Sequence, residues 1–354
     1  IKYIMAYTNI NKSSLHFNTK LYTGTGSSNA LTGVGFQPDF TWIKVRAETN
    51  NHELYDAVRG VTKRIYSDIN NAEDTNTAGL TAFGADGFTV NTGNAVNKNA
   101  TAFVSWNWKA GTGAGSSNTD GSINTTSTSV NTTAGFSISK YTGTGSVATI
   151  GHGLGAVPNV VLVKRLDSSS DWRMYHSGTG ATKQLFLNGT GAQDDDNTIW
   201  NDTAPTSSVF TVGTNTGGNA NGGTYVAYCF TDKAGFSQFG SYTGNGSQPN
   251  NDGPMIYTGF KPAWFLWKRS SSSGGWYISD GKRDTFNEVD VVLSANDAGS
   301  ESDQGTTLDH EFLSNGIKIR NSVASANSSG ETFIYMAFAE EPLVASNNVA
   351  ATAR

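Results

Sequence analysis

The chain has one cysteine and seven prolines, and only 15 % of its 354 residues are charged. A single cysteine, Cys229, excludes a disulfide framework and any zinc site built from cysteine pairs. It sits in the strand-like run Thr224–Phe230 and reads as a small buried hydrophobe. Few prolines exclude collagen and Pro-rich linkers. The net charge of −5 speaks against a general nucleic-acid binder, which needs clustered Lys and Arg. No apolar run reaches the 18 or more residues of a membrane-spanning helix. No h-region opens the chain, so Sec export is not expected. Met5 reads as the natural start, with residues 1–4 as an upstream extension. Assembly in a cytoplasm follows as the expectation.

What is abundant is glycine, 41 residues, together with Asn, Ser and Thr, and 11 % aromatics. That many aromatics exclude a disordered chain. Short alternating runs bounded by Gly, Asn and Ser predict β structure: Phe40–Arg46, Val160–Arg165, Trp264–Arg269 and Phe103–Trp108. No segment carries the sustained i, i+3, i+4, i+7 stripe of an amphipathic helix.

The chain repeats itself three times. Tyr22-Thr23-Gly24-Thr25-Gly26 returns as Tyr141-Thr142-Gly143-Thr144-Gly145 and Tyr242-Thr243-Gly244-Asn245-Gly246. Pro38, Pro158 and Pro262 each stand six residues before Lys44, Lys164 and Lys268. Eight residues further come His52, Trp172 and Trp276, and four beyond those Asp56, His176 and Asp280. Arg59 and Arg283 follow, with Thr179 in the middle copy. Each copy closes on an aromatic strand. The expected fold is all-β: three tandem β-sandwich, jelly-roll-like domains from a repeat of roughly 100 residues. The expected division is an N-terminal segment 1–19, domains 20–110, 136–235 and 236–343, and a polar tail 344–354. Residues 111–135, almost wholly Gly, Ser, Thr, Asn and Ala, read as a flexible linker that tethers the first domain loosely.

The repeat anchors, the opening Met5-Ala6-Tyr7-Thr8-Asn9-Ile10-Asn11-Lys12 and the ending Tyr335-Met336-Ala337-Phe338-Ala339-Glu340 resemble uncharacterised proteins of marine tailed bacteriophages, cyanophages in particular. The resemblance implies a virion or tail-associated protein whose partners are other virion proteins. It also implies a homo-oligomer, with a trimer favoured by analogy. It supplies no catalytic residues.

Three constellations are candidates for function. The first is Trp172, His176, Trp276, Asp280 and Arg283. An aromatic beside a carboxylate and an arginine is a way to hold a sugar, the ring on its apolar face and the charges on its hydroxyls. The same repetition also marks residues that build a fold. The second is the basic pair that ends each core strand (Lys164-Arg165, Lys268-Arg269), either a solvated strand end, an ion pair to Asp56 and Asp280, or an anion contact. The third is the acidic loop around Asp194, Asp195 and Asp196, either solvated or a calcium site. An enzyme is not expected: there is no Gly-x-Ser-x-Gly elbow, no HExxH, no isolated carboxylate pair, and the Gly-x-Gly turns open no helix. The reading is a structural phage component, a tail fibre or surface appendage that presents loops to the host and contacts host-surface glycan. A capsid decoration protein is the alternative, and a polysaccharide-degrading enzyme a weak third.

Overall fold

A computed structural model describes residues 8–246 and 252–344. The expected extension at residues 1–4 and the tail from residue 345 lie outside the described residues. The protein is all-β, in antiparallel sheets with, among the described residues, four four-residue α-helices between strands. No helix among the described residues is long and apolar enough to cross a membrane.

The three repeats build the same sheet. In the first, strands run in the order Phe17–Thr23, Ala102–Trp108, Phe40–Val45, Glu53–Asp56. In the second the order is Phe136–Thr142, Thr224–Phe230, Val160–Arg165, Arg173–His176. In the third it is Ser237–Thr243, Thr332–Pro342, Phe260–Arg269, Trp276–Asp280. The register matches too. Lys44, Lys164 and Lys268 stand opposite Val104, Val226 and Ile334. Asp56, His176 and Asp280 stand opposite Phe40, Val160 and Trp264.

The Tyr-Thr-Gly-x-Gly motif has a mechanical cause. The Tyr22, Tyr141 and Tyr242 hydroxyls donate to Val96, Gly218 and Ala326 carbonyls in the short helices at 2.6, 2.7 and 2.8 Å. A fully buried asparagine ends each of those helices. The Asn97, Asn219 and Asn327 side-chain oxygens accept the turn amides of Thr25, Thr144 and Asn245 at 2.8–2.9 Å. The first glycine of each motif lies against the residue after that asparagine. A Cβ on Gly24, Gly143 or Gly244 would fall 2.2–2.4 Å from a backbone oxygen. The second glycine is left-handed, with φ of 70°, 74° and 68°.

Each large sheet is covered on both faces. On the outer face lies a small sheet, for instance Asn29–Leu31, Gly87–Val90 and Leu80–Gly84 in the first repeat. That face holds a private core, which in the first repeat joins Leu31, Phe88, Tyr55 and Phe103. The inner faces meet in one shared core drawn from all three repeats. At its centre Trp108, Phe230 and Phe338, equivalent positions, touch one another with ring centroids 5.7–6.5 Å apart. The three repeats therefore form a closed ring with threefold-like order.

Residues 111–135 are no free tether, which corrects the expected linker. Ser127–Asn131 adds a fifth strand to the second sheet, and Ile123 is buried in that repeat's private core. The buried Asp39 carboxylate accepts the amides of Ala110, Thr112 and Gly113 at 2.7–3.0 Å. Small polar residues let the backbone come close enough to make these bonds. The composition that suggested a tether is what allows the contact.

Candidate functional site

The residues expected to hold a sugar lie inside the ring. Trp172, His176, Trp276, Asp280 and Arg283 are 0–8 % exposed. Each joins one repeat to its neighbour, so the glycan reading of these five is corrected to a structural one. The Trp172 indole donates to the Tyr66 carbonyl of the first repeat at 2.6 Å. The Trp276 indole donates to the Phe186 carbonyl of the second at 2.9 Å. Their equivalent, His52, accepts the Trp42 indole at 2.8 Å, and burial holds its pKa well below the usual range.

The carboxylate positions close the ring in the same cyclic sense. Asp56 takes the Arg59 amide at 2.8 Å and the Arg59 Nε, and it also takes the Tyr228 hydroxyl of the second repeat at 2.6 Å. Asp280 takes the Arg283 amide at 2.9 Å, Arg283 Nε at 2.5 Å and the Trp106 indole of the first repeat at 3.0 Å. Burial opposes the charge of Arg59, but Asp56 overrides it and raises the pKa above the ordinary arginine range. Tyr228, Trp106 and Met336 are equivalent positions on the closing strands. At the third junction all three partners change together. His176 replaces the aspartate, Thr179 the arginine and Met336 the aromatic donor. His176 Nδ1 accepts the Gly178 amide at 2.9 Å, which leaves Nε2–H to meet the Tyr335 carbonyl at 3.1 Å.

Backbone bonds follow the same circuit. The Asn50, Ser170 and Gly274 amides donate to Ala298, Asn70 and Thr190 carbonyls of the neighbouring repeat at 2.8–2.9 Å. The repeated lysines are not solvated ends, ion pairs to Asp56 and Asp280, or anion contacts. Lys164 and Lys268 reach the Asn70 and Thr190 carbonyls at 3.3 Å. Burial pushes all three lysines down to about 8.

The acidic loops pair as short ribbons. Asp194 and Asp195 stand opposite Gln184 and Lys183, and Lys183 bonds Asp195 at 2.5 Å. Asp196 caps the helix Asn197–Trp200 by accepting the Thr198 amide at 2.8 Å. Gln184 Nε2 donates to both Asp194 and Asp196, at 3.1 and 2.9 Å, so the three carboxylates answer protein partners and the calcium reading of Asp194, Asp195 and Asp196 is corrected to a structural one. Among the described residues no group of three His, Cys, Asp or Glu side chains is placed to hold a metal.

The domain of unknown function DUF7483 has a family profile that matches residues 12–342. The chain belongs to the DUF7483 family. No curated protein and no solved structure matches it. The DUF7483 match runs through all three repeats as one unit, in keeping with a core that no repeat closes alone. Of two recessed spaces among the described residues of this DUF7483 chain, one is small and one is open. An apolar void of about 20 Å³ lies among Phe40, Trp108, Trp264 and Met336 in the shared core. An open cleft of about 350 Å³ is lined by Lys261, Lys282, Phe286 and Glu340. Sequence reading missed the three buried asparagines. Their signal was present: Asn97, Asn219 and Asn327 each stand five residues before a closing strand.

His176 makes the second-to-third junction acid-sensitive. Burial lowers its pKa from 6.5 to about 4, so the folded chain holds it neutral. Its contribution is present above pH 6.5 and is lost as the pH falls from 6.5 towards 4, at most about 3 kcal/mol. Asp68 and Asp232, raised to about 6 by burial, act in the opposite sense over the same range. Comparison with His176→Gln isolates the histidine. Urea denaturation at pH 7 and pH 4 should show wild type losing more stability than the variant; equal losses would exclude the histidine as the cause.

Proposed function

We propose that the chain is a structural component of a bacteriophage particle, a surface appendage that carries polar loops outward. One observation supports the reading, the placement of the chain ends against the loops. Thr8 approaches Gly235 and Pro342, and Leu343 donates to the Gly259 carbonyl at 3.2 Å. Both ends of the described chain thus lie at the Trp108–Phe230–Phe338 end of the ring. The loops 46–52, 166–171 and 270–275 lie at the other end, where the lysine-bearing strands finish. Such a body can be anchored at one end while three equivalent loops, including Ala47-Glu48-Thr49, Asp167-Ser168-Ser169 and Ser271-Ser272-Ser273, face away. The threefold order that appendages often obtain from three chains is contained here in one. In this reading host glycan is met by these loops rather than by the buried aromatics.

The test is quantitative mass spectrometry and immunogold labelling of purified particles from a phage that encodes this chain. The chain should co-purify at a fixed copy number and label the tail. A copy number matching the capsid lattice would make it a decoration protein. Recovery only from the soluble lysate would end the particle reading.

A further inference from the structure

The second repeat shows how the bare edge of an outer sheet is filled. There Ala148–Gly151 pairs with Val209–Val212, and residues 121–123 cover its free side. The Ile123 amide donates to the Thr149 carbonyl at 3.0 Å, in a parallel bridge between Ile123 and Ile150. The Thr149 amide donates to Ser122 Oγ at 2.9 Å. The Ile123 side chain joins the private core with Ile150 and Phe210. Gly121 passes so close that a Cβ would lie 2.3 Å from the Thr149 carbonyl oxygen.

Among the described residues, the third repeat has the same edge without the cover. Ile256 stands opposite Ile317, as Ile150 stands opposite Phe210. Ile319 donates to Pro254 and Thr258 to Asn315, both at 3.0 Å, so residues 254, 256 and 258 face the paired strand. The amides and carbonyls of Met255 and Tyr257 therefore point outward, and among the described residues no hydrogen bond meets them. Their side chains are 42 % and 56 % exposed. The connection that would supply a cover, residues 231–236, is far shorter than residues 109–135 in the second repeat. An open strand edge with flanking apolar side chains is a template for strand addition. In the first repeat Ala30 stands at this place and offers little side chain to cover.

We propose that the Met255–Tyr257 edge receives an extended segment of a partner protein. The segment runs parallel to Met255–Tyr257 and carries the chemistry of Gly121–Ile123: a small residue, a short one, then a branched aliphatic seated on the private core. This inference holds whether or not the partner belongs to a phage particle.

The probe is a fluorescent peptide of residues 116–131 titrated into the full chain, read by anisotropy. Saturable binding at roughly 0.1–1 mM is expected for a single added strand. Met255→Pro removes the outward amide, which the sheet does not use, and should weaken binding at least about tenfold while circular dichroism and melting stay as in wild type. A peptide with Ile123→Asp should fail equally. No saturable binding, or binding indifferent to Met255→Pro, overturns the proposal. Should Met255→Pro not fold, Met255→N-methyl-alanine introduced by semisynthesis asks the same question, with the same two outcomes.

Discussion

Asp280→Ala is expected to cost about 3–5 kcal/mol of folding stability and to melt the three repeats in one transition. Arg283 has no exposed side-chain surface, and its Nε loses the acceptor at 2.5 Å. Removing one member of a buried ion pair leaves the other charged and out of water, which is the expensive way to break it. The Trp106 indole loses its acceptor across the repeat boundary at the same time. Glu301, 3.6 Å from Arg283, offsets part of the loss. Trp106→Phe removes a donor to the buried carboxylate together with part of a fully buried ring, and should cost about 2–3 kcal/mol. Replacing both charges, as Asp280→Leu with Arg283→Met, should restore most of the stability, because a paired charge is itself costly to bury. One transition follows from the shared core: no repeat keeps its inner face covered when a neighbour leaves. The measurement is urea denaturation followed by circular dichroism and tryptophan fluorescence. A loss under 1 kcal/mol, or two separated transitions, would sink the account.

The repeat phase, the strands and their equivalence were legible because the anchors are spaced in the linear chain. Lys44, Lys164 and Lys268 announce one strand in three copies, and the Tyr-Thr-Gly-x-Gly turns announce where each copy begins. The shared core was not read, although its signal exists. Phe40–Val45 is buried at every position, and a strand apolar on both faces needs a cover on both. A single sandwich supplies only one cover, so the second had to come from the neighbouring repeats. Trp276, Asp280 and Arg283 were found by repetition and read either as a sugar contact or as residues that build the fold, because residue type alone does not report burial. What reports it is covariation inside the chain: where His176 and Thr179 stand for the Asp–Arg pair, Met336 stands for Trp106 and Tyr228. The cyclic order, each junction taking its donor from a different repeat, has no trace in local spacing. It is a property of ring closure.

That covariation yields the second large effect. His176→Asp alone should destabilise the ring by about 3 kcal/mol or more, since it buries a carboxylate with no arginine at position 179 and no donor at position 336. Thr179→Arg alone should bring no gain, because no carboxylate stands at position 176 to receive the guanidinium. The combination His176→Asp, Thr179→Arg and Met336→Tyr rebuilds the first junction, in which Asp56 meets Arg59 and the Tyr228 hydroxyl at 2.6 Å. The triple variant should return to within about 1 kcal/mol of wild type, so the three changes are strongly non-additive. It should also lose the acid sensitivity contributed by His176, because its titrating imidazole is gone. A triple variant as unstable as the sum of its parts would mean that the third junction does not share the geometry of the other two. The equivalence would then end at the backbone. Recovery would show the opposite, that the three junctions are one head-to-tail interface written three times, with the chemistry of one copy exchanged.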